Sequence, residues 1–270
     1  MDARRRAEDA ARTSYGRLLA LMVARSRDVA AAEDALAEAF LAALTSWPDN
    51  GVPTNPDAWL LTVARNNLID QRRRASRRAS AKLDVEQQLA ELADIPDSFP
   101  DDRLKLIFVC AHPAIEPAVR APLILQTVLG LTADRIARSF LIAPKTLGQR
   151  LVRAKTKIRD AGLRIAVPSS VEMSERLDDV LTAIYAAFGA AWDIVPGGGG
   201  AAGDLATEAI YLARVLTDLL PGEPEVHGLL ALMLHCHARR AARRDADGRF
   251  VALEQQDMFR WDGDMISEAE

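Results

Sequence analysis

Apolar residues recur along this chain at the spacing of one helix face, three or four residues apart, rather than at every second position. Two segments show this spacing clearly, with apolar positions at Leu60, Leu61, Ala64 and Leu68 and at Leu147, Leu151, Ala154 and Ile158. No segment has the strict alternation of a half-buried strand. Of the 270 residues, 49% are hydrophobic and only 5% are aromatic, which is typical of alanine-rich helical proteins. The sequence therefore predicts an all-α fold.

Ten helices are predicted between the prolines and glycines that interrupt the pattern. They are Arg6–Arg25, Val29–Ser46, Pro56–Lys82, Asp101–Ala111, Pro117–Leu129, Thr132–Phe140, Pro144–Ala161, Glu172–Trp192, Leu205–Leu220 and Val226–Arg244. The segment WPDNGVPTNP at Trp47–Pro56 holds three prolines and a glycine and is predicted to be a loop. The run Gly197–Gly200 is predicted to be flexible, because a phosphate-binding loop needs a preceding strand.

The sequence gives no sign of secretion or membrane insertion. No run approaches the ~20 uninterrupted apolar residues of a transmembrane helix. The N-terminal stretch MDARRRAEDAARTSYGR lacks the apolar core and cleavage site of a signal peptide. Cys110 and Cys236 lie far apart in helical patterns and indicate no disulfide framework. These features predict a cytoplasmic protein without membrane contact.

The net charge of −4 is unevenly distributed. Residues 1–82 hold 14 Lys/Arg against 10 Asp/Glu, and residues 101–164 hold 12 against 5. Residues 83–100 hold five acids and no base, and residues 165–270 hold 18 acids against 8 bases. Two basic modules separated by an acidic linker indicate a polyanionic partner, and the acidic third part can compete for the same surfaces.

A basic cluster ends the segment Asn55–Arg78, NPDAWLLTVARNNLIDQRRRASRR. Opposite its apolar stripe, the helical projection places an aromatic ring and polar side chains on one exposed face. These residues are Trp59, Thr62, Asn66, Asp70 and Arg73. Such a face suits stacking on unpaired bases while arginines contact phosphate. The alternative is a solvated basic helix whose Trp59 packs on a neighbour.

The segment Leu131–Arg159 has the layout of a helix-turn-helix. Thr132 is placed to cap a short first helix, and Pro144 suits the first position of the second. The second helix carries long donors opposite its apolar stripe, as a major-groove recognition helix requires. That face holds Lys145, Gln149, Val152, Arg153 and Thr156. The flanking residues that could neutralise phosphates are Arg150, Lys155, Lys157 and Arg159. The alternative is a charged helical hairpin without a nucleic-acid partner.

Residues 8–164 resemble the extracytoplasmic-function sigma factors of bacterial RNA polymerase, through three motifs in that family's order and spacing. The motifs are VAAAEDALAEAFLAAL at Val29–Leu44, NPDAWLLTVARNNLIDQRRR at Asn55–Arg74 and LTADRIARSFLIAPKTLGQRLVRAKTKIR at Leu131–Arg159. The resemblance implies two helical sigma domains that bind core RNA polymerase and promoter DNA and help melt the −10 element. The implied divisions are sigma domain 2 at 1–82, an acidic linker at 83–100, sigma domain 4 with the helix-turn-helix at 101–166, and a C-terminal helical extension at 167–270.

The resemblance also implies three sets of contact residues. The docking face for core polymerase comprises Asp34, Glu38 and Leu41, beside Ala37, where the family often has glutamine. The expected contacts to the −10 element are Asn55, Trp59, Thr62, Asn66, Asp70, Arg72 and Arg73. In the −35 duplex, bases are contacted by Lys145, Thr146, Gln149 and Arg153, and phosphates by Arg150 and Lys157. Catalysis belongs to the polymerase, so no catalytic residue and no cofactor is expected in this chain.

The acidic extension resembles the C-terminal part of one sigma-factor subgroup. Its helices Leu205–Leu220 and Val226–Arg244, joined by PGEPE, suggest a tetratricopeptide-like unit. Because that extension usually continues for further helices, the chain is interpreted as a truncated or short variant. Its charge suggests that it covers the basic modules as an intramolecular partner, or alternatively adds a polymerase contact. His235, Cys236 and His237 diverge by 100° per residue around a helix, so no metal site is predicted.

Two other classes of protein remain compatible with the residues alone. An ordinary helix-turn-helix regulator would bind duplex DNA without polymerase and would not need the face of Asp34, Glu38 and Leu41. A helical-repeat scaffold would show little salt-dependent affinity for DNA. An enzyme is not expected, because no nucleophile–base set, carboxylate pair or metal cluster occurs at workable spacing.

Overall fold

The computed structural model describes residues 3–79, 101–163, 166, 168–192 and 201–270. Within these ranges the chain forms eleven α-helices and two short 3₁₀ helices, and it contains no strand beyond an isolated bridge between Arg244 and Phe250. Helices make up 76% of the structure. The predicted all-α fold, with a helical C-terminal extension, is confirmed.

The helices of the amino-terminal part are α1 Ala3–Ser26, α2 Val29–Asn50, α3 Pro56–Ala79, α4 Asp102–Cys110, α5 Pro117–Thr127, α6 Ala133–Ser139 and α7 Pro144–Asp160. Those that follow are α8 Ser170–Trp192, α9 Ala201–Leu219, α10 Pro224–Ala238 and α11 Gly263–Ala269. The 3₁₀ helices are Leu253–Gln255 and Met258–Arg260. The predicted end of α3 at Lys82, the linker 83–100 and the glycine run 197–200 lie outside the described residues.

The chain divides into two compact units, Met1–Arg176 and Leu177–Glu270. In the first unit, α1, α2 and α3 pack on one another, and α4 to α7 form a second cluster. We call these clusters the first module (α1–α3) and the second module (α4–α7). In the second unit, α10 packs between α9 and α11. The Arg214 guanidinium holds Glu268 with two hydrogen bonds of 2.6 Å and so joins α9 to α11.

Helix α2 runs four residues further than predicted and ends at Asn50. The prediction of a loop from Trp47 was therefore wrong for residues 47–50, and the loop is 51–55. Pro48 removes one helical hydrogen bond, but Trp47 is buried and packs edge-on against Trp59, with ring centroids 5.5 Å apart. Gly51, at φ +82°, ends the helix by donating its amide to the Trp47 carbonyl. Burial of the indole thus outweighs the local cost of the proline.

Helix α10 ends six residues earlier than predicted, at Ala238 rather than Arg244. The chain then turns back, and the amide of Asp262 donates to the carbonyl of Ala238. A tight turn at Gly248, with φ +81°, lies between the bridged residues Arg244 and Phe250. The arginine-rich sequence after Ala238 has the propensity to continue the helix. The Ala238 carbonyl instead accepts from the amide of Asp262, 24 positions later, and the helix ends.

His237, on α10, is buried as a neutral imidazole. The residue is 6% exposed, and its ring packs edge-on with that of Phe188, with centroids 6.3 Å apart. Arg240 donates to its Nε2 at 2.6 Å, which makes that nitrogen an acceptor. Burial, together with the positive charges of Arg240 and Arg243, lowers the pKa of His237 to about 4.

This lowered pKa predicts an acid-sensitive second unit. The unfolded chain takes up a proton near the ordinary histidine pKa of about 6.5, whereas folded His237 resists protonation until about pH 4. We therefore expect the free energy of unfolding to fall by about 3 kcal/mol as the pH drops through this window. His237→Gln should remove that loss in urea titrations, and His235→Gln, at an exposed position on the same helix, should retain it. Equal pH dependence in both variants would contradict this assignment.

Candidate polymerase- and DNA-binding surfaces

Helix α2 presents an acidic face with one large apolar side chain. Asp28 caps the helix, with Oδ1 accepting from the amide of Ala31 at 3.1 Å. The helix buries Val29, Ala32, Ala35, Leu36, Ala39, Ala43 and Trp47. Asp34, Glu38 and Leu41 are exposed, and Leu41 exposes 63% of its surface. Their spacing of three and four residues puts two carboxylates and a leucine on one face, which could dock on a basic, partly apolar partner.

Helix α3 begins at a short loop and exposes a polar face. Asn55 caps it, with Oδ1 accepting from the amide of Ala58 at 3.1 Å. The helix is anchored on the first module by its buried residues Leu60, Ala64 and Leu68. The exposed predicted residues are Asn55, Thr62, Asn66, Asp70 and Arg73. Asn66, Asp70 and Arg73 follow one another at helical spacing, so amide, carboxylate and guanidinium groups are available to one ligand strand.

Two predicted contacts of α3 are engaged inside the protein. Trp59 is half-buried against Trp47, so the exposed position given by the helical projection is corrected in favour of core packing. Arg72 is also half-buried, and it donates to the carbonyl of Ser26 at 2.8 Å. A single-helix projection cannot show either contact, because Trp47 and Ser26 lie at the carboxyl ends of the neighbouring helices α2 and α1.

Helices α6 and α7 form the predicted helix-turn-helix. The hydroxyl of Thr132 accepts from the amide of Arg135, Pro144 opens α7, and Leu141 in the turn adopts φ +53°. The stripe Leu147, Leu151, Ala154 and Ile158 is buried. The exposed residues of α7 include Lys145, Thr146, Gln149, Val152, Arg153 and Lys157, and Arg150 is half-buried. An apolar back with an open row of donors is the arrangement that a groove-binding helix needs.

One flank of α7 departs from the prediction. Lys155, expected to neutralise phosphate, is buried and donates from Nζ to Oε2 of Glu33 at 2.6 Å. Arg159 on the same flank is exposed, and its pKa is raised chiefly by Asp160, with a further contribution from Asp28. Glu33, near the start of α2, therefore lies against this flank. Glu33 is separated from Lys155 by 122 positions, and no local sequence pattern indicates the pair.

Two parts of the chain match known protein families. Residues 11–78, which span most of α1 to α3, match sigma-70 region 2. This part of the chain is therefore similar to region 2 of the sigma-70 family, which acts in transcription initiation. Residues 176–270 match a family of unknown function, DUF6596, and this match begins where the two compact units divide.

A similar protein extends the comparison to almost the whole chain. "Uncharacterized protein R00370" of Rhizobium meliloti (strain 1021) is 42% identical over 250 residues. The alignment covers 90% of this chain and 59% of that protein, so the chain spans about three fifths of its relative's length. No solved structure matches the chain. None of the helices in the described ranges has both the length and the apolarity needed to cross a bilayer.

Proposed function

We propose that this chain is an extracytoplasmic-function sigma factor, which binds core RNA polymerase and directs it to specific promoters. The observation that carries the proposal is the exposed face of Asp34, Glu38 and Leu41 on α2. This face lies within the part of the chain that matches sigma-70 region 2. A regulator acting on DNA alone would not need this face, because its carboxylates would be repelled by DNA phosphates.

In this proposal, each module contacts a different element of the promoter. The first module, in residues 1–82, docks on polymerase through α2 and captures unstacked −10 bases through α3. Because Trp59 and Arg72 already have internal contacts, base and backbone contacts at −10 fall chiefly to Asn66, Asp70 and Arg73. The second module, in residues 101–166, reads the −35 duplex through α7. The linker 83–100 joins the two.

The exposed hydrogen-bond donors on α7 allow a test of how the chain recognises DNA sequence. Gln149→Ala is expected to weaken holoenzyme binding to the preferred −35 duplex about 5- to 150-fold, the value of one bidentate base contact. Binding to a mixed-sequence duplex should be unchanged. The matched variant Lys157→Gln should weaken both alike and lower the slope of log K against log salt by about 1. Equal losses on both duplexes for Gln149→Ala would reassign that side chain to the phosphate backbone.

The C-terminal extension, residues 167–270, is proposed to modulate this activity. The hairpin of α9 and α10, with α11 packed on α10, is compatible with a tetratricopeptide-like arrangement. Removing residues 177–270 tests the direction of the effect. Transcription that survives or rises supports inhibition by the extension, and transcription lost while the first unit stays folded supports a positive polymerase contact.

The direct test of the proposal is transcription by purified core polymerase with and without the full chain, on a library of genomic fragments. The expected result is initiation at a defined set of promoters only when the chain is present, with co-elution of the two proteins. If the chain binds duplex DNA yet neither co-elutes nor redirects initiation, it acts as an independent helix-turn-helix regulator. If it shows no salt-dependent DNA affinity, the scaffold alternative holds.

A further inference from the structure

Two residues on the exposed side of α7 are small or apolar among long polar neighbours. Gly148 and Val152 are four residues apart and therefore lie one turn from each other on the same side of the helix. Val152 exposes 65% of its surface. A Cβ placed on Gly148 would meet nothing within 4 Å, so its missing side chain leaves open space. We call this pair the apolar patch of α7.

Neither residue favours the helix in which it lies. Glycine has a low helix propensity, and β-branched valine loses rotamer freedom against the preceding turn. An exposed arm of a charged hairpin would be more stable with alanine or lysine at both positions. Gly148 is not needed for a close approach within the described residues either, because its surroundings leave room for a Cβ. The apolar patch therefore indicates a contact with a molecule outside the chain.

Hydrogen-bond donors and positive charges border the apolar patch. Lys145, Gln149 and Arg153 are exposed and follow one another at four-residue spacing, in the row next to the patch. Helical side chains lean over the turn that precedes their own Cα, so the Val152 isopropyl group extends over the turn of Gly148 and Gln149. The surface is therefore complementary to a polyanion that offers hydrogen-bond acceptors with an isolated apolar group between them.

Duplex DNA presents one such group in its major groove, the 5-methyl of thymine, beside the acceptors of guanine and adenine. We propose that the apolar patch of α7 binds the 5-methyl group of a thymine in the −35 duplex. This inference rests on the proposed function and adds a specificity-determining contact to it. The open space at Gly148 admits the methyl group, Val152 shields it from water, and Gln149 is placed to contact the neighbouring base. Sequence is then read partly without hydrogen bonds.

Removal of single methyl groups from the DNA tests the contact directly. The preferred duplex is obtained first, by selection from a pool of random sequences with the full chain, both alone and in complex with core polymerase. Each thymine of that duplex is then replaced in turn by deoxyuridine, which removes the methyl group and keeps the base pair. We expect one replacement to weaken binding of the wild type at least about 4-fold, the value of burying a group of this size. Fluorescence anisotropy at constant salt concentration measures the change.

Two variants of α7 connect that loss to the apolar patch. Val152→Ala should bind the thymine and deoxyuridine duplexes equally well, because the apolar cover of the methyl group is gone. Gly148→Ala should bind the thymine duplex more weakly than the wild type does but unfold at a higher urea concentration, because its added methyl group occupies the open space and improves helix propensity. The matched controls on α8 are Val171→Ala, at a valine that is 67% exposed, and Gly189→Ala, at a glycine whose Cβ would also meet nothing within 4 Å. Both controls should keep the wild-type preference for thymine.

The proposal is overturned if no deoxyuridine replacement weakens binding of the wild type, or if Val152→Ala keeps the wild-type sensitivity to that replacement. It is also overturned if neither the chain nor its complex with polymerase selects a sequence that contains thymine. If Gly148→Ala binds the thymine duplex as tightly as the wild type does, the part assigned to Gly148 is overturned. Co-elution with core polymerase, run in parallel, separates these outcomes from failure of the proposed function. A chain that reads the thymine methyl group alone but never binds polymerase retains the contact on α7 and loses only the sigma assignment.

Discussion

Reversing two charges on α2, with Asp34→Arg and Glu38→Arg together, is expected to abolish co-elution of the chain with core RNA polymerase. Both carboxylates are exposed on the same face as Leu41, so each can meet a basic surface. Losing about 1.4 kcal/mol or more at each position lowers the affinity at least about 100-fold. Size-exclusion chromatography of the mixed proteins, followed by titration of a labelled chain, measures the loss.

A matched double variant separates this local effect from overall charge. Glu116→Arg with Glu175→Arg makes the same change in net charge at exposed positions away from α2, and this variant should co-elute as the wild type does. Both variants should keep the far-ultraviolet circular dichroism of the parent. If the α2 variant is folded and still co-elutes, polymerase docking uses another surface of the chain.

The second large effect is expected at Trp47. Trp47→Ala should lower the free energy of unfolding of the first unit by about 3–5 kcal/mol, the range for removing a buried large aromatic side chain. The residue is 1% exposed, and its ring supports Trp59 across the loop that enters α3. Urea unfolding followed by circular dichroism measures the loss without relying on tryptophan fluorescence.

Trp59→Ala provides the comparison for that measurement. Because Trp59 is only half-buried, its removal should cost less than removal of Trp47 and should leave the end of α2 in place. A loss below about 1 kcal/mol for Trp47→Ala would contradict the core role assigned to its ring. If Trp59→Ala lowered the free energy of unfolding more than Trp47→Ala does, Trp59 would be the main core residue of the pair.

The sequence predicted the features that depend on helical periodicity. The stripe of Leu147, Leu151, Ala154 and Ile158 is buried, and Asp34, Glu38 and Leu41 are exposed as expected. These outcomes need only the 100° rotation per residue and the preference of apolar side chains for the core. Which macromolecule the exposed faces bind stays a prediction, since exposure shows only that a surface is available.

The missed features all depend on contacts between distant parts of the chain. The local sequence at Trp47 and Pro48 predicts a loop, but the packing of Trp59 on the Trp47 indole favours the helix. The local sequence predicts a solvated side chain for Lys155, and only its contact with Glu33 makes it buried. Gly16 was the available signal for the close packing of α1 on the Val128 carbonyl, because a glycine inside a helical pattern often has a packing reason.

The separation of Glu33 and Lys155 also has a consequence for synthesis. At about 5–20 residues per second, a ribosome adds Lys155 roughly 6–24 s after Glu33. The first module can fold during that interval, but its carboxylate has no lysine to meet. We expect the Glu33 carboxylate of nascent chains to be exposed to water throughout this time. The time that Glu33 spends without its lysine would then depend on the speed of translation.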